Sequence, residues 1–157
     1  MPGPVEELPR LQRDLDTARQ QGQRIVLTNG YFDLLHVGHL RYLRAARALG
    51  DVLVVGVNAD AAVSKPGRPL VPDAERAELV AALEPVDYVV LFAEPTADAL
   101  LRALRPAVYA KGGDYSEATL PEAPTAREVA AELAFIPLTP GRSTTRLVES
   151  LGRPSTT

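Results

Sequence analysis

The chain contains two histidines, and both fall in one short segment, residues 28–39 (TNGYFDLLHVGH). His36 and His39 are three positions apart, so on a helix their imidazoles would share one face. Gly38 lies between them and removes a side chain where a ligand could approach the backbone. A helix that begins here would add free N–H groups and partial positive charge, which favour phosphate. The segment therefore predicts a polyphosphate site; the alternative is that His36 caps the helix and His39 packs in the core.

Two further loops contain residue types that suit anions. Residues 140–145 (PGRSTT) combine three hydroxyl side chains with the amides of a helix start, where Ser143 is placed as the N-cap. Residues 111–115 (KGGDY) combine a glycine pair with opposite charges on Lys111 and Asp114. Plain helix capping explains the first loop about as well, and a turn with a surface ion pair explains the second.

A fourth loop is cationic. Residues 65–69 (KPGRP) contribute Lys65 and Arg68, and Arg76 follows on the next predicted helix. Solvated loop charge is the default interpretation of these side chains. Only the neighbouring loops favour a role in binding phosphate.

Short runs of consecutive apolar residues alternate with helical patterns. Such runs are typical of strands buried on both faces of a parallel sheet, and they predict strands at 25–27, 52–57, 88–92, 107–110 and 134–138. Apolar residues at helical spacing predict helices at 5–21, 39–49, 73–83, 96–104, 126–133 and 143–151. This alternation predicts an α/β, Rossmann-like fold: a single doubly wound parallel five-stranded sheet with helices on both faces. In such sheets, ligands bind beyond the carboxyl ends of the strands, where these loops begin.

Length and composition fit one domain over residues 1–157, with an N-terminal helix (1–22), a core (24–151) and a tail (152–157). The net charge of −3 argues against a nucleic-acid partner, and the lack of cysteine excludes disulfides and thiolate metal sites. The N-terminus lacks the order of a signal peptide and no apolar run approaches membrane-spanning length, so we expect a cytoplasmic protein without a membrane partner. Motifs for a P-loop, a nucleophile elbow and a His-Glu-x-x-His metal site are missing, and no protein-held metal is predicted.

Taken together, these motifs resemble a known family. The segment TNGYFDLLHVGH resembles the H-x-G-H loop of the nucleotidyltransferase superfamily that includes the cytidylyltransferases. With GDVLVVGVNAD, GRP, ERAELVAAL, VDYVV, KGGDY and PGRSTTR, the chain resembles the heptose 1-phosphate adenylyltransferase family over about residues 24–151. The H-x-G-H and S-T-T motifs mark the superfamily, whereas KGGDY is the more particular mark of the ADP-heptose branch.

The resemblance implies transfer of AMP from ATP to D-glycero-D-manno-heptose 1-phosphate, which gives ADP-heptose and pyrophosphate. It also implies a homodimer, and Mg²⁺ is expected because this ion accompanies triphosphates. The alternative within the superfamily is a cytidylyltransferase, or another nucleotidyltransferase, that acts on glycerol 3-phosphate or another sugar or polyol phosphate.

Two alternatives come from other classes of protein. A non-catalytic nucleotide-binding module need not keep His36, His39, Ser143 and Thr144, all of which are intact. A fragment of a class I aminoacyl-tRNA synthetase would share the histidine loop, but we expect no tRNA-binding domain within these 157 residues, and their net charge is acidic.

The chemistry of the reaction assigns roles to these residues. A phosphate monoester is mostly ionised at neutral pH, so the acceptor needs no general base, and catalysis depends on positioning and charge stabilisation. We assign His36 and His39 as donors to the α- and β-phosphates in the transition state, and Lys65 as a side chain that closes over the α-phosphate. Arg68 and Arg76 are expected at the acceptor phosphate. The residues expected to bind the nucleotide and its phosphates are Thr28, Gly30, Phe32, Asp33, Gly38, Lys111, Gly112, Asp114, Ser143, Thr144 and Thr145.

Overall fold

A computed structural model describes residues 3–62, 66–138 and 143–152 of the chain. The strands are β1 (Ile25–Gly30), β2 (Val52–Asn58), β3 (Tyr88–Phe92), β4 (Val108–Gly112) and β5 (Glu132–Ile136). The helices are α1 (Leu8–Gln20), α2 (Val37–Arg47), α3 (Asp73–Ala81), α4 (Asp98–Leu104), α5 (Ala123–Glu128) and α6 (Thr144–Leu151). Within these ranges, none of the helices has both the length and the apolar composition that a membrane crossing requires.

All five strands run parallel in one sheet of order β3-β2-β1-β4-β5. This confirms the predicted doubly wound sheet, and it places the reversal of strand order between β1 and β4. The β1–β2 ladder continues to Gly30, whereas β1 pairs with β4 only at Val26 and Leu27. The carboxyl-terminal halves of β1 and β4 are therefore not paired with each other, and a crevice can open between them.

Helices cover both faces of the sheet, as the sequence predicts. On one face, Leu11 and Leu15 of α1 and Leu101 of α4 belong to one buried apolar cluster. On the other face, Leu43 of α2 and Val80 of α3 belong to a second cluster. The strands are apolar on successive residues because alternate side chains enter one cluster or the other. The loops that leave the sheet edge therefore begin from strands that are packed on both faces.

The stretch around α5 and β5 departs from the sequence prediction. A helix over 126–133 and a strand over 134–138 are expected, but α5 ends at Glu128 and β5 already begins at Glu132. Leu133 fits either pattern, and in the structure it pairs with Tyr109 of β4. The helix cannot continue because Ala130 adopts a left-handed conformation with φ 59°. The predicted boundaries are therefore wrong here, although both elements exist.

Candidate active site

A pocket of about 260 Å³ opens at the carboxyl ends of β1 and β4, where the strand order reverses. Its walls come from the loop between β1 and α2, from the end of β4 and from the residue before α6. The lining residues are Asn29, Gly30, Tyr31, Phe32, His36, Gly38, His39, Tyr42, Lys111, Gly112, Tyr115, Leu138 and Ser143. The fold thus brings eight of the sequence-predicted site residues together: Gly30, Phe32, His36, Gly38, His39, Lys111, Gly112 and Ser143.

The two histidines close the amino-terminal turn of α2. His36 is the N-cap residue, and its Nδ1 accepts a hydrogen bond from the amide of Gly38 at 3.0 Å. The amide of His36 in turn donates to Nδ1 of His39 at 3.2 Å. The ring centroids are 3.9 Å apart. The capping alternative and the ligand-binding hypothesis are therefore compatible, because each imidazole caps the helix through one nitrogen and lines the pocket as well.

This capping fixes the tautomer of both imidazoles. A ring nitrogen that accepts an N–H hydrogen bond carries no proton, so in each neutral ring the proton resides on Nε2. Burial, and secondly the neighbouring His36 ring, lower the pKa of His39 to about 4. His39 is thus a neutral N–H donor at physiological pH, which is a group that can stabilise negative charge on a phosphate oxygen.

A partly buried polar cluster forms another wall of the pocket. Asn29 Oδ1 accepts from the Tyr109 hydroxyl at 2.7 Å and from Lys111 Nζ at 3.4 Å. Lys111 Nζ also lies 5.5 Å from the centre of the Tyr115 ring, in a cation–π arrangement. Burial lowers the pKa of the Lys111 amine, and the Glu122 carboxylate acts in the opposite direction. These contacts place one cation at the edge of the pocket.

Tyr42 connects the helix α2 to the strands beneath the pocket. Its hydroxyl donates to the carbonyl of Ala110 at 3.0 Å, so the Thr28 hydroxyl, 2.5 Å away, must donate to it. Burial raises the pKa of Tyr42 to about 12, which keeps this donor protonated. A β-carbon at Gly112 would lie 2.9 Å from the Tyr42 ring. Glycine at position 112 therefore leaves room for the ring that forms the pocket floor.

The start of α6 supplies a further capped helix end. Ser143 is its N-cap, and its hydroxyl accepts from the amide of Arg146 at 3.0 Å. Thr144 is the first residue of the helix, and Thr145 follows it with an exposed side chain. Of the three hydroxyl residues, the structure places Ser143 in the pocket lining.

The comparison with protein families decides the membership of this chain. The model of the family described as "Cytidylyltransferase-like" matches residues 27–150. This range holds the histidine loop, the end of β4 and the start of α6. The chain belongs to the cytidylyltransferase-like family. The match confirms the predicted superfamily.

Curated relatives match most of this chain. The "Bifunctional protein HldE" of Syntrophotalea carbinolica is 45% identical over 140 residues, which cover 87% of this chain and 29% of that protein. The protein of the same name from Methylobacillus flagellatus is 48% identical over 136 residues, which cover 85% of this chain and 28% of that protein. The cytidylyltransferase-like chain therefore spans less than a third of the length of these relatives.

A solved structure shows the same architecture. The lipopolysaccharide core biosynthesis protein from Thermoplasma volcanium GSS1 superposes with a TM-score of 0.64 at 26% sequence identity. The match covers 75% of this chain and 98% of that one. The Rossmann-like α/β fold of the cytidylyltransferase-like family is thereby confirmed.

Asp33 and Arg68 lie together, outside the pocket lining. The Asp33 carboxylate accepts from Arg68 Nε at 2.6 Å, from the Leu70 amide at 2.9 Å and from the Val71 amide at 3.0 Å. Burial alone would raise the pKa of Asp33, but these hydrogen bonds outweigh it and hold the pKa below the usual value. The geometry favours a role for both side chains in fixing the loop before α3, and the ligand contacts expected from sequence stay predictions.

Arg76 is fully buried and also lies outside the lining. Its guanidinium donates to the carbonyls of Val71 at 2.9 Å and Tyr31 at 2.5 Å, and to Asp60 Oδ1 at 2.8 Å. All three guanidinium nitrogens of Arg76 therefore make a hydrogen bond within the protein. These bonds favour a structural role for Arg76 within the cytidylyltransferase-like fold, and the contact with an acceptor phosphate expected from sequence stays a prediction.

Two other expected site residues lie outside the pocket lining, and a third is not among the described residues. Thr28 is buried beneath the pocket, where it bonds Tyr42. Asp114 is exposed and borders a neighbouring depression formed with Phe135 and Leu138. Lys65 lies outside the described residues. The roles assigned to these residues remain predictions.

Sequence reasoning missed five lining residues: Asn29, Tyr31, Tyr42, Tyr115 and Leu138. Tyr42 had a usable signal, because it lies three positions after His39 and so shares the histidine face of α2. Asn29 and Tyr115 belong to segments that the sequence analysis singled out. Leu138 reads as an ordinary apolar residue, and only the course of the chain after β5 brings it to the pocket.

Proposed function

We propose that this chain transfers AMP from MgATP to D-glycero-D-manno-heptose 1-phosphate, with formation of ADP-heptose and pyrophosphate. The observation that carries the proposal is the pair of histidines, His36 and His39, whose Nδ1 atoms cap α2 and whose rings line the pocket. This pocket lies where the strand order of the sheet reverses. The relatives named HldE support the heptose branch. Three of them are 44–48% identical to this chain over most of its length.

The proposed step is an in-line displacement at the α-phosphorus. A phosphate oxygen of the sugar forms a bond to this phosphorus while the bond to the bridging oxygen of pyrophosphate breaks. The nucleophile is already ionised near neutral pH, so no side chain has to remove a proton. The Nε2–H groups of His36 and His39 would donate to oxygens on which negative charge develops, and Lys111 would add a positive charge at the other wall.

Mg²⁺ is proposed as part of the nucleotide substrate. Among the described residues, no group of three or more histidines or carboxylates could hold a metal ion. Asp33, the acidic residue in the histidine loop, is engaged by Arg68 and two amides. These residues fit a Mg²⁺ ion that is held by the phosphate oxygens of ATP and by water. There the ion would neutralise the charge of the leaving pyrophosphate.

Pyrophosphate release tests the proposal when ATP, CTP and GTP are each combined with heptose 1-phosphate and with glycerol 3-phosphate. We expect release with ATP and heptose 1-phosphate. Release only with CTP and glycerol 3-phosphate would replace the heptose proposal with the cytidylyltransferase alternative. Nucleotide binding without turnover of any pair would favour a non-catalytic module. The expected homodimer stays a prediction, which sedimentation equilibrium measures directly.

A further inference from the structure

The loop between β1 and α2 contains two residues in an unfavourable backbone conformation. Phe32 has φ 54° and Leu34 has φ 56°, and neither is a glycine. Bulky L-residues rarely adopt this left-handed region, and they remain there only when their surroundings hold them. The turn directly precedes His36, so the forces that hold it also decide where the histidines lie.

The conformation of Phe32 has a visible consequence in the pocket. Its side chain is 5% exposed, and its ring centroid lies 5.5 Å from that of His39. Phe32 also lines the pocket itself. The left-handed turn therefore packs the Phe32 ring against His39, the imidazole that we propose stabilises the transition state.

Hydrogen bonds hold the residues on both sides of Phe32. The carbonyl of Tyr31, directly before it, accepts from Arg76 at 2.5 Å. The carboxylate of Asp33, directly after it, accepts from the amide of Val71 at 3.0 Å. The carbonyl of the same Val71 accepts from Arg76 at 2.9 Å. These bonds close a ring around Phe32, in which Arg76 donates to both carbonyls, while Arg68 Nε also donates to the Asp33 carboxylate at 2.6 Å.

Arg76 is suited to this position by its shape. It is 0% exposed and reaches three segments at once, because its third bond goes to Asp60 after β2. A planar guanidinium directs its N–H groups in fixed directions, whereas a lysine ammonium is a single point on a flexible stem. A lysine could keep the charge near Asp60 but could not bridge the Tyr31 and Val71 carbonyls in the same geometry.

We infer that Arg76 is a positioning residue: together with Asp33 it holds the left-handed turn at Phe32 and Leu34, and the turn sets Phe32 against His39. Arg76 acts on catalysis through this turn and does not touch the substrate. The measurement of kcat rests on the proposed function. Amide exchange at the cap formed by His36 and His39 does not, because it can be measured without turnover.

Arg76→Lys is the first test. A displacement of about 1 Å in a catalytic group costs on the order of a hundredfold in rate, so we expect kcat to fall by about tenfold or more. The KM for ATP should change by less than about threefold, because the histidines are assigned to the transition state. The amides of Gly38 and His36, which donate within the cap, should exchange faster with solvent in the variant. A kcat within twofold of the wild type, or unchanged exchange of both amides, would overturn the inference.

A rescue experiment separates positioning from general loss of structure. Leu34→Gly removes the penalty at φ 56°, so in the Arg76→Lys background it should restore part of the lost kcat. Leu35→Gly is the matched control. Leu34 and Leu35 line one surface groove together with Val71, but the backbone of Leu35 is not left-handed. Equal effects of the two glycines would contradict a role in holding the turn.

Two outcomes need a second route. If Arg76→Lys does not fold, Asp60→Asn replaces it, because the Asp60 side chain is 45% exposed and the change only weakens one of the three bonds. For Asp60→Asn we expect the Gly38 and His36 amides to exchange faster and kcat to fall, both by less than in Arg76→Lys. No change in either quantity would refute the inference. If the wild-type chain shows no adenylyl transfer, the proposed function fails, and amide exchange alone decides the role of Arg76.

Discussion

At the scale of single residues, the histidines use their two ring nitrogens for different purposes. Nδ1 of each ring accepts a backbone N–H, so in each neutral ring the proton resides on Nε2. The same residues therefore stabilise the start of α2 and supply the polar groups of the pocket. Substitutions that separate capping from donation can test this dual use.

His36→Ala should lose both functions, whereas His36→Asn should keep both in part. Asparagine is a favourable N-cap residue, and its side-chain amide can still donate. We expect His36→Ala to cost about 1 kcal/mol of stability and His36→Asn only a few tenths. The loss of kcat should be about a hundredfold for alanine and smaller for asparagine. Urea unfolding and initial rates measure both quantities.

Glu7→Ala provides the control for this pair. Glu7 is the N-cap of α1, but its side chain makes no capping hydrogen bond. Its replacement should leave stability nearly unchanged. Equal destabilisation by His36→Ala and His36→Asn would argue that the imidazole does not act as a cap.

The low pKa of His39 predicts a specific dependence of stability on pH. Its value of about 4 in the folded chain lies below the ordinary value of 6.5. As the pH falls from 6.5 toward 4, the unfolded chain binds a proton that the folded chain does not, so the free energy of unfolding decreases. Between pH 7 and 4.5 the wild type should lose more stability than His39→Gln, as measured by urea unfolding. Parallel losses would show that His39 titrates normally.

At the scale of elements, the segment before α1 protects one edge of the sheet. The amide of Glu6 donates to the Val89 carbonyl at 2.8 Å, and the amide of Val89 donates to the Pro4 carbonyl at 3.0 Å. Gly3 adds a bond from its amide to the carbonyl of Ala81 at 2.7 Å. The edge of β3 is thereby paired over a short stretch, which limits association through an open strand.

Deletion of residues 1–6 should therefore destabilise the fold and promote association. Each lost backbone hydrogen bond contributes about 1 kcal/mol, so we expect a loss of about 2–3 kcal/mol. Light scattering should show more aggregation at equal concentration. Deletion of residues 153–157 is the matched control for a truncation. Equal stability of the two shortened chains would contradict a protective role for the N-terminal segment.

The elements also show how far sequence reasoning reaches. Buried strands such as β2 and β3 are predictable because four or more successive apolar residues suit a sheet covered on both faces. The boundary between α5 and β5 is not, because Leu133 fits a helix face and a strand equally well. Only the left-handed turn at Ala130 and the pairing with Tyr109 decide between them.

At the scale of the whole molecule, the sequence predicts which loops meet, but not how their side chains are engaged. Parallel strands bring the ends of β1 and β4 to one edge, so His36 and Lys111 could be placed in one site from their positions alone. Arg68 and Arg76 read as phosphate ligands because sequence does not reveal burial. In the folded chain, Asp33, Asp60 and backbone carbonyls engage them.

The most direct test of the central claim is ³¹P NMR of a reaction that contains wild-type protein, MgATP and heptose 1-phosphate. Adenylyl transfer predicts stoichiometric formation of pyrophosphate and of a sugar-linked diphosphate, with about a hundredfold slower formation by His39→Ala. Appearance of ADP with a sugar bisphosphate would indicate phosphoryl transfer. That result, or equal rates for the two proteins, would contradict the proposed function of the histidine pocket.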